Sequence, residues 1–146
     1  MLRAKRILVP LNLSPGEEKV VKAAAAMAAE SRGRLCLFHV FDSRAVEDVF
    51  HLHGLKEEEV RERMRAGADE YIDRLRGRAW LKGISVDVLY ATGLPPEEIV
   101  TAAREWKADL VVLSRSRRSG LAHLLYGRTS DGVVREASCA VLVLAP

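Results

Sequence analysis

Residues 114–131 combine arginine, serine and threonine side chains with two kinds of backbone position that bind anions. Residues 114–120 (SRSRRSG) follow a buried apolar run, and residues 127–131 (GRTSD) are interpreted as the start of a helix. A loop after a strand and a helix N-terminus both offer backbone N–H groups to an anion, and arginine adds a permanently charged, planar donor. The segment is therefore a candidate phosphate site, although arginine stands where phosphate-binding loops favour glycine.

Other residues that could do chemistry have simpler interpretations. His51 and His53 alternate within residues 42–55, which lack a regular pattern, and no cysteine or further histidine accompanies them. Loop polarity therefore explains them better than metal binding. Cys36 and Cys139 fall in or beside apolar runs and are interpreted as inert core residues. No nucleophile is paired with a recognisable base, and no G-x-S-x-G elbow or P-loop motif occurs, so we expect no enzyme activity.

The composition indicates one globular domain, residues 1–146. Apolar residues make up 49% of the chain and charged residues 29%, which suits a core of aliphatic side chains without disulfides or metals. A net charge of +3 is small for a nucleic-acid binder, and the aromatic residues near the arginines are limited to Tyr126. No apolar run approaches the ~20 residues that span a bilayer, and no signal-peptide pattern precedes the first strand, so we expect a cytoplasmic protein that binds neither membranes nor nucleic acid.

Five apolar runs predict buried strands. They are expected at residues 5–11, 35–41, 84–90, 109–113 and 140–144. His39, in the second of these runs, is interpreted as a core residue whose polar atoms are hydrogen-bonded. Because the runs are apolar on both sides and alternate with helical segments, they favour an α/β fold, with a parallel sheet covered by helices on both faces.

The segments between the strands predict four helices. The first is expected to begin at a capping box, in which Ser14 caps the helix and Glu17 reaches back to it. A long second helix starts at Lys56 and contains Gly67, at a cost of roughly 1 kcal/mol relative to alanine. The third follows residues 93–98 (GLPPEE), and the fourth is expected near residues 128–137.

Several short segments occur in an order and spacing typical of one protein family. They are ILVP at 7–10, HV at 39–40, GLPPEEI at 93–99, ADLVVL at 108–113, SGL at 119–121, LLYG at 124–127 and CAVLVL at 139–144. With them the chain resembles the universal stress protein family along its full length. The resemblance implies a Rossmann-like sheet of the adenine nucleotide alpha-hydrolase-like type, with five parallel strands in the order 3-2-1-4-5, in a stress-response domain that is often a homodimer.

The resemblance also implies a ligand site where the strand order reverses, between the first and fourth strands, since open α/β sheets bind ligands there. Carried over position by position, the cofactor-binding residues would be Pro10, Leu11, Asn12 and Val40 on the adenine and ribose side, and Ser114, Arg117, Gly127, Arg128 and Ser130 on the phosphate side. ATP-binding members of the family carry G-x-x-G, nine residues, and then G-[ST]. Here Ser114 and Arg117 replace the two glycines, Arg128 replaces Ser or Thr, and Asn12 replaces the usual aspartate.

These substitutions leave two functions open. In the first, the side chains of Ser114 and Arg117 intrude where backbone must approach a phosphate closely, so ATP binding is weakened or lost. The chain would then be a non-catalytic regulatory domain, because the slow ATP hydrolysis that remains open for ATP-binding relatives would require the altered pocket. In the second, the arginines of residues 114–128 bind the phosphates of ATP or AMP through their side chains, which makes the chain a nucleotide- or phosphate-binding switch.

The last strand, residues 140–144, is expected at an edge of the sheet. An edge strand exposes unpaired backbone N–H and C=O groups, and proteins often cover such an edge with another chain. We therefore expect a two-fold homodimer formed by antiparallel pairing of this strand.

Overall fold

The apolar runs form one parallel sheet in the order β3-β2-β1-β4-β5, as predicted. The structure is a computed structural model that describes residues 3–115 and 121–145, and residues 121–128 by their backbone alone. Within these residues the strands are β1 (Arg6–Leu11), β2 (Arg34–Asp42), β3 (Ser85–Gly93), β4 (Leu110–Ser114) and β5 (Ala140–Leu144). Strand β1 pairs with β2 on one side and with β4 on the other, so the reversal of strand order falls between β1 and β4.

Five helices connect the strands in the described part of the chain. They are α1 (Glu18–Ser31), α2 (Ser43–His53), α3 (Glu57–Arg76), α4 (Pro95–Glu105) and α5 (Leu121–Glu136). Helices α1 and α3 cover one face of the sheet, where β1 contributes Ile7 and Val9 to the core. Helices α4 and α5 cover the other face, where β1 contributes Leu8. Burying each such aliphatic side chain contributes roughly 1.5–3 kcal/mol.

Residues 42–55 form a helix rather than the irregular segment expected. The Asp42 carboxylate accepts a hydrogen bond from the backbone N–H of Arg44 at 3.0 Å, which caps the start of α2. Gly54 ends the helix in the left-handed conformation, with φ 61°. Val46 is buried on the inner face of α2. The spacing of Val46, Val49 and Phe50 is helical, and it was the signal that the sequence interpretation missed.

Helix α5 begins earlier than predicted, at Leu121 rather than near residue 128. The sequence interpretation took Gly127 as a helix start, but glycine is tolerated inside a helix at a cost of roughly 1 kcal/mol. Leu121, Leu124 and Leu125 already have helical spacing, and no proline follows them until the helix has ended. Residues 127–131 therefore lie inside α5.

Candidate ligand-binding site

A cleft of about 410 Å³ opens at the carboxyl ends of the central strands. Pro10 and Leu11 of β1, Val40 of β2, and Leu113 and Ser114 of β4 form its floor. It lies at the reversal of strand order, where parallel sheets leave a crevice because the connections on either side run to opposite faces. We refer to it as the strand-end cleft.

The strand-end cleft brings together six of the residues predicted from the sequence. Pro10, Leu11, Asn12, Val40, Ser114 and Ser130 all line it. Arg117 lies outside the described residues, and Gly127 and Arg128 belong to the part of α5 described by its backbone alone. The adenine and ribose side of the prediction is thus assembled in one place, and Ser114 and Ser130 represent the phosphate side.

The described residues that helix α5 contributes to the strand-end cleft carry hydroxyl groups. Because residues 127–131 lie inside the helix, the backbone N–H groups from Arg128 onward are within hydrogen-bonding reach of carbonyls one turn earlier. Thr129 and Ser130 line the cleft. A Cβ atom added to Gly132 would lie 2.9 Å from Cβ of Pro96, so glycine there allows α5 to approach the start of α4. The prediction that residues 127–131 open a helix is therefore wrong.

The loop between β1 and α1 is held by a buried carboxylate. Glu17 is 1% exposed, and it accepts hydrogen bonds from the backbone N–H groups of Asn12 at 2.7 Å and Leu13 at 3.2 Å. The hydroxyl of Tyr71, on α3, donates to the same carboxylate at 3.2 Å and to the carbonyl of Ser14 at 3.0 Å. The predicted capping box is therefore corrected. Glu17 reaches back past Ser14, whose own side chain makes no capping hydrogen bond.

This carboxylate holds a backbone conformation that the residue type does not favour. Leu13 has φ 64°, in the left-handed region that is costly for a residue with a branched side chain. The hydrogen bond from the N–H of Leu13 to Glu17 helps to offset that cost. Burial, followed by the nearby Glu17 charge, raises the pKa of Tyr71, so its hydroxyl stays protonated and donates.

Asn12 offers a donor to the strand-end cleft. Its Oδ1 accepts a hydrogen bond from the backbone N–H of Ser14 at 3.0 Å. The other end of the carboxamide is an NH₂ group, which can only donate. An aspartate at this position would bring a negative charge and acceptors instead, so the substitution changes the hydrogen-bonding character of the cleft.

His39 lines the strand-end cleft, in addition to packing on the sheet. Its Nδ1 lies 2.7 Å from the carbonyl oxygen of Leu11, and its ring meets that of Phe41 edge-on at a centroid distance of 4.9 Å. Burial lowers the pKa of His39 below its ordinary value, and the hydrogen bond to Leu11 opposes this shift. The imidazole is therefore mainly neutral near pH 7. His39 was interpreted as a core residue, whereas the structure places it half-buried in the wall of the cleft.

The rim of the strand-end cleft carries one ion pair. The Arg44 guanidinium donates to the Asp42 carboxylate through Nε at 3.1 Å and through an Nη atom at 2.9 Å. Burial alone would raise the pKa of Asp42, but the hydrogen bonds from Arg44 outweigh it and the pKa lies below the ordinary value. Among the described lining residues, Glu17 and Asp42 are the two carboxylates and Arg44 is the one guanidinium.

Several lining residues were not predicted from the sequence. Asp42 is the last residue of β2, Arg44 lies two residues later, and Glu17 lies in the segment after β1, so their position near strand ends was a usable signal. Met64 and Gly67 come from α3, and nothing in the local sequence indicates which part of that helix lies above the sheet. No cluster of three or more metal-ligating side chains occurs among the described residues. The helices within those residues are also too short or too polar to cross a bilayer.

Comparisons with known proteins agree with this fold. A model described as the universal stress protein family matches residues 3–145. Universal stress protein YxiE of Bacillus subtilis is 27% identical over 145 residues, which cover 95% of this chain and 97% of that protein. The solved structure of MJ0577, named a universal stress protein of Methanocaldococcus jannaschii, matches at a TM-score of 0.80 and 24% identity, covering 99% of this chain and 97% of that one.

A second solved structure is that of a universal stress protein in complex with cAMP. It matches at a TM-score of 0.68 and 22% identity, and covers 98% of both chains. At such identities the solved structures support the shared fold. Because the family model extends over nearly the whole chain, the chain belongs to the universal stress protein family.

Proposed function

We propose that this chain is a non-catalytic regulatory domain of the stress response, which binds a small ring compound in the strand-end cleft and binds ATP weakly. Membership of the universal stress protein family supports a role in the stress response. The cleft volume of about 410 Å³ lies within the range of small-molecule sites, roughly 300–1,000 Å³. Its floor is mostly apolar, which suits a ring compound.

The existing contacts of the described lining residues carry the proposal that ATP binds weakly. A triphosphate needs cations or an array of backbone N–H groups to replace its hydration. In the described lining, the guanidinium of Arg44 is already paired with Asp42, and the N–H groups of Asn12 and Leu13 donate to Glu17. A triphosphate that approached these described groups would therefore have to break existing contacts before they could bind it.

Calorimetric titration with adenosine, AMP and ATP tests the proposal. We expect adenosine to bind and ATP to bind at least roughly tenfold more weakly, a difference of about 1.4 kcal/mol. Low-micromolar or tighter binding of ATP would contradict weak ATP binding. No detectable binding of any of the three would contradict the ring-compound site.

Reversal of the motif substitutions provides the matched gain-of-function test. The triple variant carries Ser114→Gly, Arg117→Gly and Arg128→Ser, which restores the pattern of the ATP-binding relatives. We expect it to bind ATP more tightly than the unaltered chain, because backbone can then approach the phosphates. An unchanged or weaker affinity for ATP would show that these positions are not what limits binding.

A second candidate function is a nucleotide- or phosphate-binding switch that uses the arginines of residues 114–128. One structural neighbour was solved with cAMP, which carries a single phosphate group. In this chain Ser114, Thr129 and Ser130 place hydroxyl groups beside the strand-end cleft, and a monophosphate needs fewer donors than a triphosphate. AMP or cAMP binding that is tighter than adenosine binding, and is lost in the Arg117→Gly and Arg128→Ser variants, would favour this switch.

We also propose that β5 pairs with the same strand of a second copy. Strand β5 pairs with β4 on one side, and it is the last strand in the described sheet order. Val141, Leu142, Val143 and Leu144 are half-buried, so apolar surface accompanies the edge. Sedimentation at micromolar concentration should give a dimer, and a monodisperse monomer would contradict this proposal.

A further inference from the structure

A second depression in the surface lies between helices α2 and α3. It has a volume of about 580 Å³, which is within the range of small-molecule sites, roughly 300–1,000 Å³. Its described lining consists of Val49, His53, Leu55, Val60, Arg63 and Met64, and we call it the α2–α3 groove. Met64 is the one residue of this set that also lines the strand-end cleft, so the groove is a different site.

The α2–α3 groove is formed by one side of each helix. Val49 and His53 are four residues apart on α2, and Val60 and Met64 are four residues apart on α3, so each pair lies on one side of its helix. Residues 54–56 connect the two helices. Such a short connection places consecutive helices next to each other, so the two sides meet along the groove.

The walls of the α2–α3 groove are mostly apolar and only partly covered. Val60 is 2% exposed, whereas Val49, Leu55 and Met64 are half-buried. Leu52, which lies about one helical turn after Val49, is 78% exposed, so apolar surface continues along α2 beyond the groove. A ligand that covers these side chains removes apolar surface from water, which is favourable. The groove therefore favours a ligand with a substantial apolar part.

Arg63 differs from the neighbouring arginines of α3. Arg61 and Arg65 each form an ion pair with a carboxylate one helical turn away, at 2.8 Å and 3.5 Å. Glu59 lies four residues before Arg63, yet no ion pair or hydrogen bond joins the Arg63 guanidinium to any residue that the structure describes. Arg63 lines the groove instead. Its guanidinium is therefore available to a ligand.

The charge of the α2–α3 groove favours a single anionic group. Arg63 is the one permanently charged side chain in the described lining, and His53 adds an imidazole whose ring N–H can donate a hydrogen bond. No carboxylate belongs to that lining, because Glu59 and Glu62 are exposed on α3 and lie outside it. The planar guanidinium matches the two oxygens of a carboxylate, whereas it repels a cationic group.

The size of the α2–α3 groove indicates a small molecule rather than a protein partner. Six described residues line the groove, whereas a stable protein–protein interface takes about 20–30 residues on each side. A flexible hydrocarbon chain can follow apolar side chains of unequal size and needs no hydrogen-bonding partner. The ligand that fits the groove is therefore an amphipathic molecule with one carboxylate.

We propose that the α2–α3 groove binds a medium-chain aliphatic monocarboxylate. The hydrocarbon chain lies against the apolar walls, and the carboxylate binds the guanidinium of Arg63 beside the imidazole of His53. This site goes beyond the proposed function, because a ring compound in the strand-end cleft contacts none of the residues that line the groove alone. The groove can therefore be tested separately from the cleft.

An NMR titration with octanoate tests the site through the methyl groups of Val49 and Leu55, which line the groove and not the strand-end cleft. We expect their signals to shift with half-saturation at or below about 1 mM. Butyrate, which lacks four methylene groups, and octylamine, which is a cation at neutral pH, should each bind at least roughly tenfold more weakly. Shifts that do not saturate by about 10 mM, or saturable shifts at Val40 and Leu113 of the cleft instead, would overturn the proposal.

Arg63→Gln tests the contact with the carboxylate, because glutamine is polar but carries no positive charge. We expect this variant to bind octanoate at least roughly fivefold more weakly. Arg61→Gln is the matched control, since Arg61 is exposed on the same helix, pairs with Glu57 and does not line the groove, so its octanoate affinity should be unchanged. Circular dichroism of both variants checks that α3 is intact. Unchanged octanoate binding in Arg63→Gln, or equal losses in the two variants, would overturn the proposal.

Discussion

The two sides of the strand-end cleft are built differently. On the side of β1, β2 and α3, polar groups are tied to one another, as the Glu17 carboxylate is to the N–H groups of Asn12 and Leu13. On the side of β4 and α5, the described contributions are the hydroxyls of Ser114, Thr129 and Ser130. On the first side, these hydrogen bonds fix the shape of the cleft and leave few groups that could bind a charged ligand. We therefore expect phosphate recognition, if the chain has it, to depend mainly on the second side, where the sequence carries arginines in place of glycines.

The largest test of this contrast is Glu17→Gln. The glutamine keeps one acceptor oxygen, but its NH₂ group faces donors that now bind the Glu17 carboxylate, namely the N–H groups of Asn12 and Leu13 and the hydroxyl of Tyr71. We expect the free energy of unfolding to fall by about 3 kcal/mol, because a buried charged acceptor with several donors is replaced. Urea denaturation measures it. The control is Glu18→Gln, whose salt bridge with Arg78 is at the surface and should cost less than about 1 kcal/mol. Equal effects of the two variants would contradict the role assigned to Glu17.

Tyr71→Phe tests the link between α3 and the loop after β1. Removal of the hydroxyl breaks hydrogen bonds to the Ser14 carbonyl and the Glu17 carboxylate. We expect a loss of about 1.5 kcal/mol in unfolding free energy and weaker ligand binding. Tyr90→Phe is the matched control, since its hydroxyl donates to Asp69 away from the strand-end cleft and its loss should leave binding unchanged. If Tyr90→Phe weakened ligand binding as much as Tyr71→Phe, the proposed link between α3 and the loop after β1 would be wrong.

Asp42→Asn tests whether the paired rim arginine limits phosphate binding. The substitution weakens the hold on Arg44 and removes one negative charge, so we expect ATP affinity to rise roughly two- to fivefold. Adenosine affinity should not change, and calorimetry with both ligands measures the contrast. An unchanged ATP affinity would show that the ion pair does not limit binding.

The same carboxyl group predicts a pH dependence of stability. The pKa of Asp42 is lower in the folded state than its ordinary value of 3.8. Its contribution is therefore fully present above that value and is lost as the pH falls through the lower folded-state pKa. Between pH 5 and about pH 3, we expect the free energy of unfolding of the unaltered chain to fall by about 0.5 kcal/mol more than that of Asp42→Asn. Urea denaturation of both proteins at the two pH values measures this difference.

Gly67→Ala gives the smallest expected effect and separates stability from function. Its Cβ atom meets no neighbour, so the helix should gain up to about 1 kcal/mol in unfolding free energy. Because Gly67 lines the strand-end cleft, the same methyl group narrows the cleft beside α3, and we expect the affinity for adenine to fall about twofold. A variant that is more stable and binds adenine more tightly would contradict the idea that the missing side chain serves the ligand.

Much of the fold could be predicted because strand and helix patterns are local. The apolar runs gave the five strands their approximate positions, and the family resemblance supplied their order, which the structure confirms. Helix α2 was missed because its apolar stripe is short and interrupted by polar residues, although the Asp42 cap and the Gly54 stop were visible in the sequence. The start of α5 was misplaced because Gly127 was interpreted as a terminus rather than an interior position.

The candidate site was predictable where it depends on strand ends and not where it depends on helix packing. Parallel strands bring their carboxyl ends to one edge, so Pro10, Asn12 and Ser114 could be expected together. Met64 and Gly67 line the cleft because of how α3 lies on the sheet, which is decided by the tertiary packing of residues such as Ile72 and Leu75. The hydrogen bonds of Glu17 likewise depend on the path of a loop that no motif specifies.

A crystal structure of the protein grown with excess ATP tests the central claim most directly, since that claim concerns where a triphosphate can lie. We expect that no ordered triphosphate lies against residues 114–130, and that the Arg44 guanidinium remains paired with Asp42. An ordered triphosphate held by the backbone of residues 114–130, with the arginine side chains turned away, would contradict it.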